Sequence, residues 1–110
     1  MQTANPEQVP AAAVPVLPAR TGLFELGELA ATPNAMAAII TAGKKPNDFL
    51  VRHVAGDWSE MAEEDRATNS NAVLRGGRIF SSYAVSRDVR IWVITEADRS
   101  VTSILLPSEY

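Results

Sequence analysis

Hydrophobic positions along this chain change their spacing twice, and each change marks a change in the expected backbone. Leu23-Phe24-Glu25-Leu26-Gly27-Glu28-Leu29 reads as a short strand. From Thr32 to Arg75 the apolar residues recur three and four apart, the period of a helix. Thr32 is placed to cap a first helix, Pro33 occupies its first helical position, and Met36, Ile39 and Ile40 form the apolar stripe before Gly43 stops it. Pro46 opens a second helix in which Phe49, Leu50, His53 and Val54 share one face, and Gly56 ends it. A third helix is expected from about Ser59 to Arg75. Its acidic start (Glu60, Glu63, Glu64, Asp65) and basic end complement the helix dipole, and Gly76-Gly77 terminates it.

From Arg78 to Leu106 the period shortens to two. Ile79 to Val85 alternates large and small residues, Ser86-Arg87-Asp88 makes a turn, and Val89 to Thr95 is a run of branched and aromatic side chains. Glu96-Ala97-Asp98-Arg99 makes a second turn, and Val101 to Leu106 forms a last strand stopped by Pro107. Strands joined by turns this tight run antiparallel. The expected fold is therefore α+β: a short N-terminal strand, three helices, then a C-terminal three-stranded antiparallel meander. The middle run Ile91-Trp92-Val93-Ile94 is apolar on both faces. Helices can cover one face; the other calls for the N-terminal arm or a second subunit, so a homodimer through the meander sheet is expected.

The arm is residues 1–21, where Pro6, Pro10, Pro15 and Pro18 interleave with alanines. Proline lacks a donor N–H and pushes its predecessor towards extended geometry, which predicts a flexible or polyproline-like segment. Residues 22–110 then make one domain. No apolar run approaches the roughly 18 residues needed to cross a bilayer, and the N-terminus lacks the pattern of a secretory signal, so a cytoplasmic protein is expected. The absence of cysteine excludes disulfides, thiol nucleophiles and thiolate metal sites. A net charge of −3, with both halves slightly acidic, weighs against a general nucleic-acid binder and towards a protein partner.

Three clusters could carry chemistry. On the third helix, Trp58, Ala62, Asp65, Asn69 and Val73 fall at spacings of four, three, four and four, which places Asp65 and Asn69 on a packed face. A buried carboxylate needs a partner, and the single histidine, His53, also lies on an apolar face. His53, Asp65 and Asn69 are thus expected to converge, with Asp57 or Tyr83 nearby. The network serves either as a structural pin or as a His–carboxylate acid–base pair. The second cluster is the turn from Thr95 to Thr102, where Asp98 and Ser100 cap local N–H groups and Arg99 is expected to pair with Glu96. The third is Arg78, Ser81, Ser82 and Tyr83, hydroxyls that line a shallow pocket or fill a solvent-facing strand. No phosphate-cradling loop, nucleophile elbow or zinc or calcium spacing is present, and neither a cofactor nor a metal is expected.

Several segments together resemble a known family. They are Arg52-His53-Val54-Ala55-Gly56-Asp57-Trp58, Glu63-Glu64-Asp65 with Asn69, Ser82-Tyr83, and Trp92-Val93-Ile94-Thr95-Glu96-Ala97-Asp98-Arg99-Ser100 with Leu105-Leu106-Pro107 and Glu109-Tyr110. The chain from residue 22 onward resembles small bacterial proteins of plasmids and phage-like regions, labelled plasmid-related protein or, loosely, a type I restriction subunit. It departs from them at Ser59, where members carry glycine. The resemblance implies a mobile-element setting and, at Asp57, Trp58, Glu96, Asp98 and Arg99, candidate binding residues. The leading expectation is a non-enzymatic binding module acting on a host or mobile-element macromolecule, in counter-defence or plasmid regulation. The rival is a small metal-independent ribonuclease or toxin-like enzyme using His53 with a carboxylate.

Overall fold

Thr32 accepts the Ala35 N–H through its hydroxyl and so starts helix α1 (Pro33–Thr41), with Pro33 at the position where a missing N–H costs nothing. A computed structural model describes residues 22–110; the expected arm, residues 1–21, lies outside the described residues. Strand β1 (Glu28–Ala31) precedes α1; helices α2 (Pro46–Val54) and α3 (Glu63–Arg75) follow, then strands β2 (Ile79–Ala84), β3 (Arg90–Thr95) and β4 (Val101–Leu105) and a 3-10 turn, Pro107–Glu109. No helix among the described residues is long and apolar enough to cross a membrane.

The expected meander forms: β2 pairs antiparallel with β3, and β3 with β4. The sheet is nevertheless four-stranded and mixed, in the order β1-β4-β3-β2, because β1 runs parallel alongside β4. That corrects the expectation of a purely antiparallel sheet. It also moves the first strand from residues 23–29 to 28–31. The cause is Gly27, whose φ of +68° turns the chain and whose Cβ, if it had one, would stand 2.4 Å from the carbonyl oxygens of Arg99 and Ser100. Before that turn the chain belongs to the helical layer, where the Leu23 N–H donates to the Val54 carbonyl.

Strand alternation divides the sheet. Ile79, Ser81 and Tyr83 of β2, Ile91, Val93 and Thr95 of β3, and Thr102 and Ile104 of β4 are all buried on the helix-covered face. Tyr83, Ile91, Val93 and Ile104 meet Ala35 and Ile39 of α1 and Phe49 and Leu50 of α2 in one cluster, while Trp58, Met61, Ala72 and Ile79 form a second. Ile40, expected in the α1 stripe, is 63% exposed; Ala35 takes its place in the core.

Helix α3 starts at Glu63, four residues later than expected. The chain from Asp57 to Ala62 instead turns on the Asp57 carboxylate, which accepts the Ser59 N–H and hydroxyl, and on Met61 N–H donating to the Trp58 carbonyl. Trp58 and Met61 enter the core from this turn and not from a helix face. The expected 58/62/65/69/73 stripe is broken as a result: Asn69 and Ala72 are the buried residues of α3, and Asp65 faces solvent.

Both edges of the sheet are exposed to different degrees. On β2 the outward backbone groups of Phe80 are taken by the Asn69 side chain, which accepts the Phe80 N–H at 3.1 Å and donates to its carbonyl at 2.6 Å. Glu60 accepts the Ala84 N–H at the other end of the same edge. An asparagine in mid-helix costs helix propensity; here it substitutes for a missing strand and blocks edge-to-edge pairing. At the opposite edge, all four residues of β1 are exposed.

Candidate functional site

His53 does not meet Asp65 and Asn69. Its helix is oriented by Phe49, Leu50 and Val54 packing into the core, so the imidazole points down onto the sheet, fully buried. There Nδ1 lies 2.6 Å from Ser81 Oγ and Nε2 lies 2.8 Å from Thr95 Oγ1. Ser81 Oγ also accepts the Trp58 indole N–H at 2.9 Å, and Thr95 Oγ1 lies 2.6 Å from Thr102 Oγ1, which reaches the Leu26 carbonyl at 2.7 Å. Phe24 presses edge-on against the ring, 5.1 Å between centroids.

The carbonyl end of this chain fixes the direction of each proton from Thr102 back to Nε2. An indole N–H only donates and a carbonyl only accepts. Thr102 therefore donates to Leu26 and accepts from Thr95, and Thr95 in turn accepts from His53 Nε2–H. At the other end burial keeps the ring uncharged, so Nδ1 carries no proton and Ser81, which accepts from Trp58, donates to it. The imidazole is neutral and protonated on Nε2, and each hydroxyl in the row donates once and accepts once. Burial without a counter-charge pushes the His53 pKa down to about 3. A base of that pKa, with both nitrogens engaged, is poorly matched to proton transfer near neutral pH.

The remaining expected residues are distributed over three other places. Asn69 holds the β2 edge. Asp57 pairs with Arg52 at 2.6 Å, and that guanidinium, aided by the Ser59 hydroxyl, holds its carboxyl below the usual range. Arg52 also reaches Glu60 at 3.0 Å, Glu60 reaches Arg90 at 3.1 Å, and the Arg52 guanidinium lies 4.3 Å above the Tyr83 ring. Tyr83 donates to the Asp57 carbonyl, and burial pushes its hydroxyl up to about 12.

Arg99 does not pair with Glu96. Its φ is +62°, and the guanidinium donates to the carbonyls of Gly77, Ala72, Glu96 and Ala97 at 2.6–3.2 Å, tying the turn between β3 and β4 to the end of α3. Glu96 stands 3.7 Å from Arg78 instead. Asp98 accepts the Ser100 N–H, as expected of a turn residue.

Ser81 and Tyr83 are buried, against the expectation of solvent-facing filler, whereas Ser82 points outward and accepts from Arg90. Sequence reasoning had Ser81 in one cluster and Thr95 and Thr102 at the ends of another, and missed that all three join the His53 row. Strand parity could have found them: Ser81 shares a face with Ile79 and Tyr83, and Thr95 shares one with Ile91 and Val93.

Among the described residues, no α-helix packs on the second face of the sheet. Phe80 meets Trp92 edge-on at 4.8 Å and Trp92 meets Tyr110 at 5.4 Å. Tyr110 is brought there by Glu109, whose carboxylate accepts from Thr32, Asn34 and the Leu106 N–H. Arg78 donates to the Tyr110 hydroxyl. Together Arg78, Phe80, Trp92, Ile94 and Tyr110 line an apolar depression of about 230 Å³. Comparison of the chain with family models, curated proteins and solved structures finds no match.

Proposed function

We propose that this chain is a non-enzymatic binding module whose sheet face around Trp92 and Tyr110 contacts a protein partner. The observation that carries the reading is the concentration of three aromatic side chains and Arg78 on a face that no α-helix among the described residues covers, opposite a core whose polar groups are spent on one another. Aromatic residues and arginine are enriched where proteins meet. The resemblance noted above supplies the proposed setting, an accessory function of plasmids or phages in counter-defence or regulation. The ribonuclease alternative draws no support from the geometry, since the carboxylate it needs is absent from the His53 hydrogen bonds.

A photo-crosslinking residue at Ser82, on the open face, is expected to capture one defined protein in the native host. The same residue at Ser70, on the outer surface of α3, is expected not to. Trp92→Ala should abolish capture from Ser82 without loss of folding. Equal capture from both positions, or capture unaffected by Trp92→Ala, overturns the reading.

A further inference from the structure

The chain closes one edge of its sheet and leaves the other open. At β2, Asn69 bonds the outward groups of Phe80 and Glu60 accepts the Ala84 N–H. At β1, Glu28 donates its N–H to the Ser100 carbonyl and Thr32 donates to that of Ile104. Alternation therefore turns Glu28, Ala30 and Thr32 towards β4, and the N–H and carbonyl groups of Leu29 and Ala31 outward. No turn, loop or capping hydrogen bond among the described residues reaches those outward groups. Exposed edges are ordinarily shielded by charge, proline, a bulge or a covering element. Here all four residues of β1 are exposed, Leu29 to 52%, and the strand's one charge, Glu28, stands at its start. No charged residue follows until Lys44, the longest such run in the sequence.

The occupant this edge fits is a second copy of itself, because its outward groups lie symmetrically about Ala30. When two β1 strands run antiparallel around a two-fold axis at Ala30, Leu29 of each copy faces Ala31 of the other. Each such pair exchanges both of its N–H···O=C bonds. The side chains fit the same register. Leu29 pairs with Thr102 and Ala31 with Ile104, so both side chains lie on the helix-covered side of the sheet. Each leucine then rests against the small Ala31 of the second copy. Ala30 meets its own equivalent as a non-hydrogen-bonded pair, where Cα atoms approach to about 4.5 Å and a methyl group is readily accommodated. Glu28 faces Thr32, so no like charges are opposed. Because Asn69 and Glu60 close the β2 edge, growth of the sheet stops at two copies.

We infer that two copies of this chain join through antiparallel β1 strands centred on Ala30, making one continuous sheet with four strands from each copy. The two-fold axis is perpendicular to the sheet, so both Trp92–Tyr110 faces point to the same side and stay open. The inference stands apart from the reading of that face as a contact surface.

The lack of cysteine allows a direct test in the full-length protein. Two Ala30→Cys side chains on the axis would have Cα atoms about 4.5 Å apart, within the range a disulfide spans. Ala30→Cys is expected to oxidise to a disulfide-linked dimer, while Ser70→Cys, on the outer surface of α3, stays monomeric under the same conditions. By sedimentation equilibrium the wild type should reach a dimer mass at the concentrations used for NMR. Leu29→Lys, which sets a charge in the paired edge, should raise the dissociation constant about tenfold or more. Ala31→Pro removes an outward N–H without touching the β4 ladder and should do the same. Leu74→Lys, at an exposed leucine of α3, should leave it unchanged. A monomeric wild type overturns the inference, as does a dimer that both edge variants leave intact or equal crosslinking of the two cysteines. If Ala31→Pro fails to fold, Leu29→Lys and the cysteine pair decide the matter, since Leu29 and Ala30 are exposed. Any of these failures leaves the contact-surface reading intact, because that reading is decided by crosslinking from Ser82.

Discussion

Acidification from pH 7 to pH 5 is the perturbation that addresses the core most directly, because the chain has one histidine and it is fully buried. The folded pKa of His53 is depressed to about 3 from an ordinary value of 6.5. The unfolded state therefore binds the proton first. The stability that His53 contributes as a neutral ring is fully present above pH 6.5 and is lost as pH falls towards 3. At 1.36 kcal/mol per unit, the full loss is on the order of 5 kcal/mol, and by pH 5 the linkage amounts to about 2 kcal/mol. The hydrogen-bond directions give the same sign. A proton on Nδ1 would turn a nitrogen that accepts from Ser81 into a donor facing a hydroxyl that already accepts from Trp58. The carboxylates whose pKa is held low, such as Asp57 and Glu60, weaken the fold only at lower pH, so the interval from 6.5 to 5 isolates His53. Urea denaturation at pH 7.0, 6.0 and 5.0 checks the claim. Midpoints should fall with an unchanged slope in wild type. A His53→Gln variant should be less stable at pH 7 but nearly flat across the same interval. Equal wild-type stability at pH 7 and 5, or an equal decline in the variant, would refute the buried neutral imidazole.

Arg99→Ala should cost about 2–3 kcal/mol by urea denaturation, since four carbonyls lose a charged donor, and Arg99→Lys should recover only part of it because one ammonium lacks the fork geometry; a loss under about 0.5 kcal/mol would deny the guanidinium its stapling role. Asn69→Ala should lower stability by about 1–3 kcal/mol and raise light scattering on concentration, because the Phe80 edge groups are uncovered. Scattering identical to wild type would show that Asn69 does not guard that edge. Gly27→Ala should prevent folding or cost more than about 4 kcal/mol, whereas Gly43→Ala, also at positive φ but with nothing within 4 Å of the added carbon, should cost about 1 kcal/mol. Similar effects at the two glycines, read by circular dichroism and thermal melts, would mean that the close approach of Arg99 and Ser100 to Gly27 can relax.

Local signals determined most of the secondary structure. The Thr32-Pro33 start, the Phe49/Leu50/His53/Val54 face, the Gly76-Gly77 stop and the three meander strands each follow from capping, periodicity or β-propensity within a few neighbouring residues. The same local logic placed the start of α3 at Ser59 and failed, because the winning contacts were nonlocal: Trp58 bonds Ser81, and the Asp57 carbonyl receives Tyr83. Partner choice in the core was likewise beyond it. Helical spacing put His53 on a buried face but could not say which strand hydroxyls lay beneath it, since Ser81 and Thr95 are 28 and 42 residues away. The Arg99 turn was visible as a turn, yet a positive φ and four carbonyl acceptors, two of them more than twenty residues distant, exist only once α3 is packed beside it. The parallel pairing of β1 with β4 joins segments more than seventy residues apart. Sequence alone sets what each segment prefers to be and which side it buries, because those preferences act over one or two turns of backbone. Tertiary structure alone decided which buried polar group meets which, because a hydrogen bond requires two groups within about 3 Å and no spacing along a chain specifies that across a folded core.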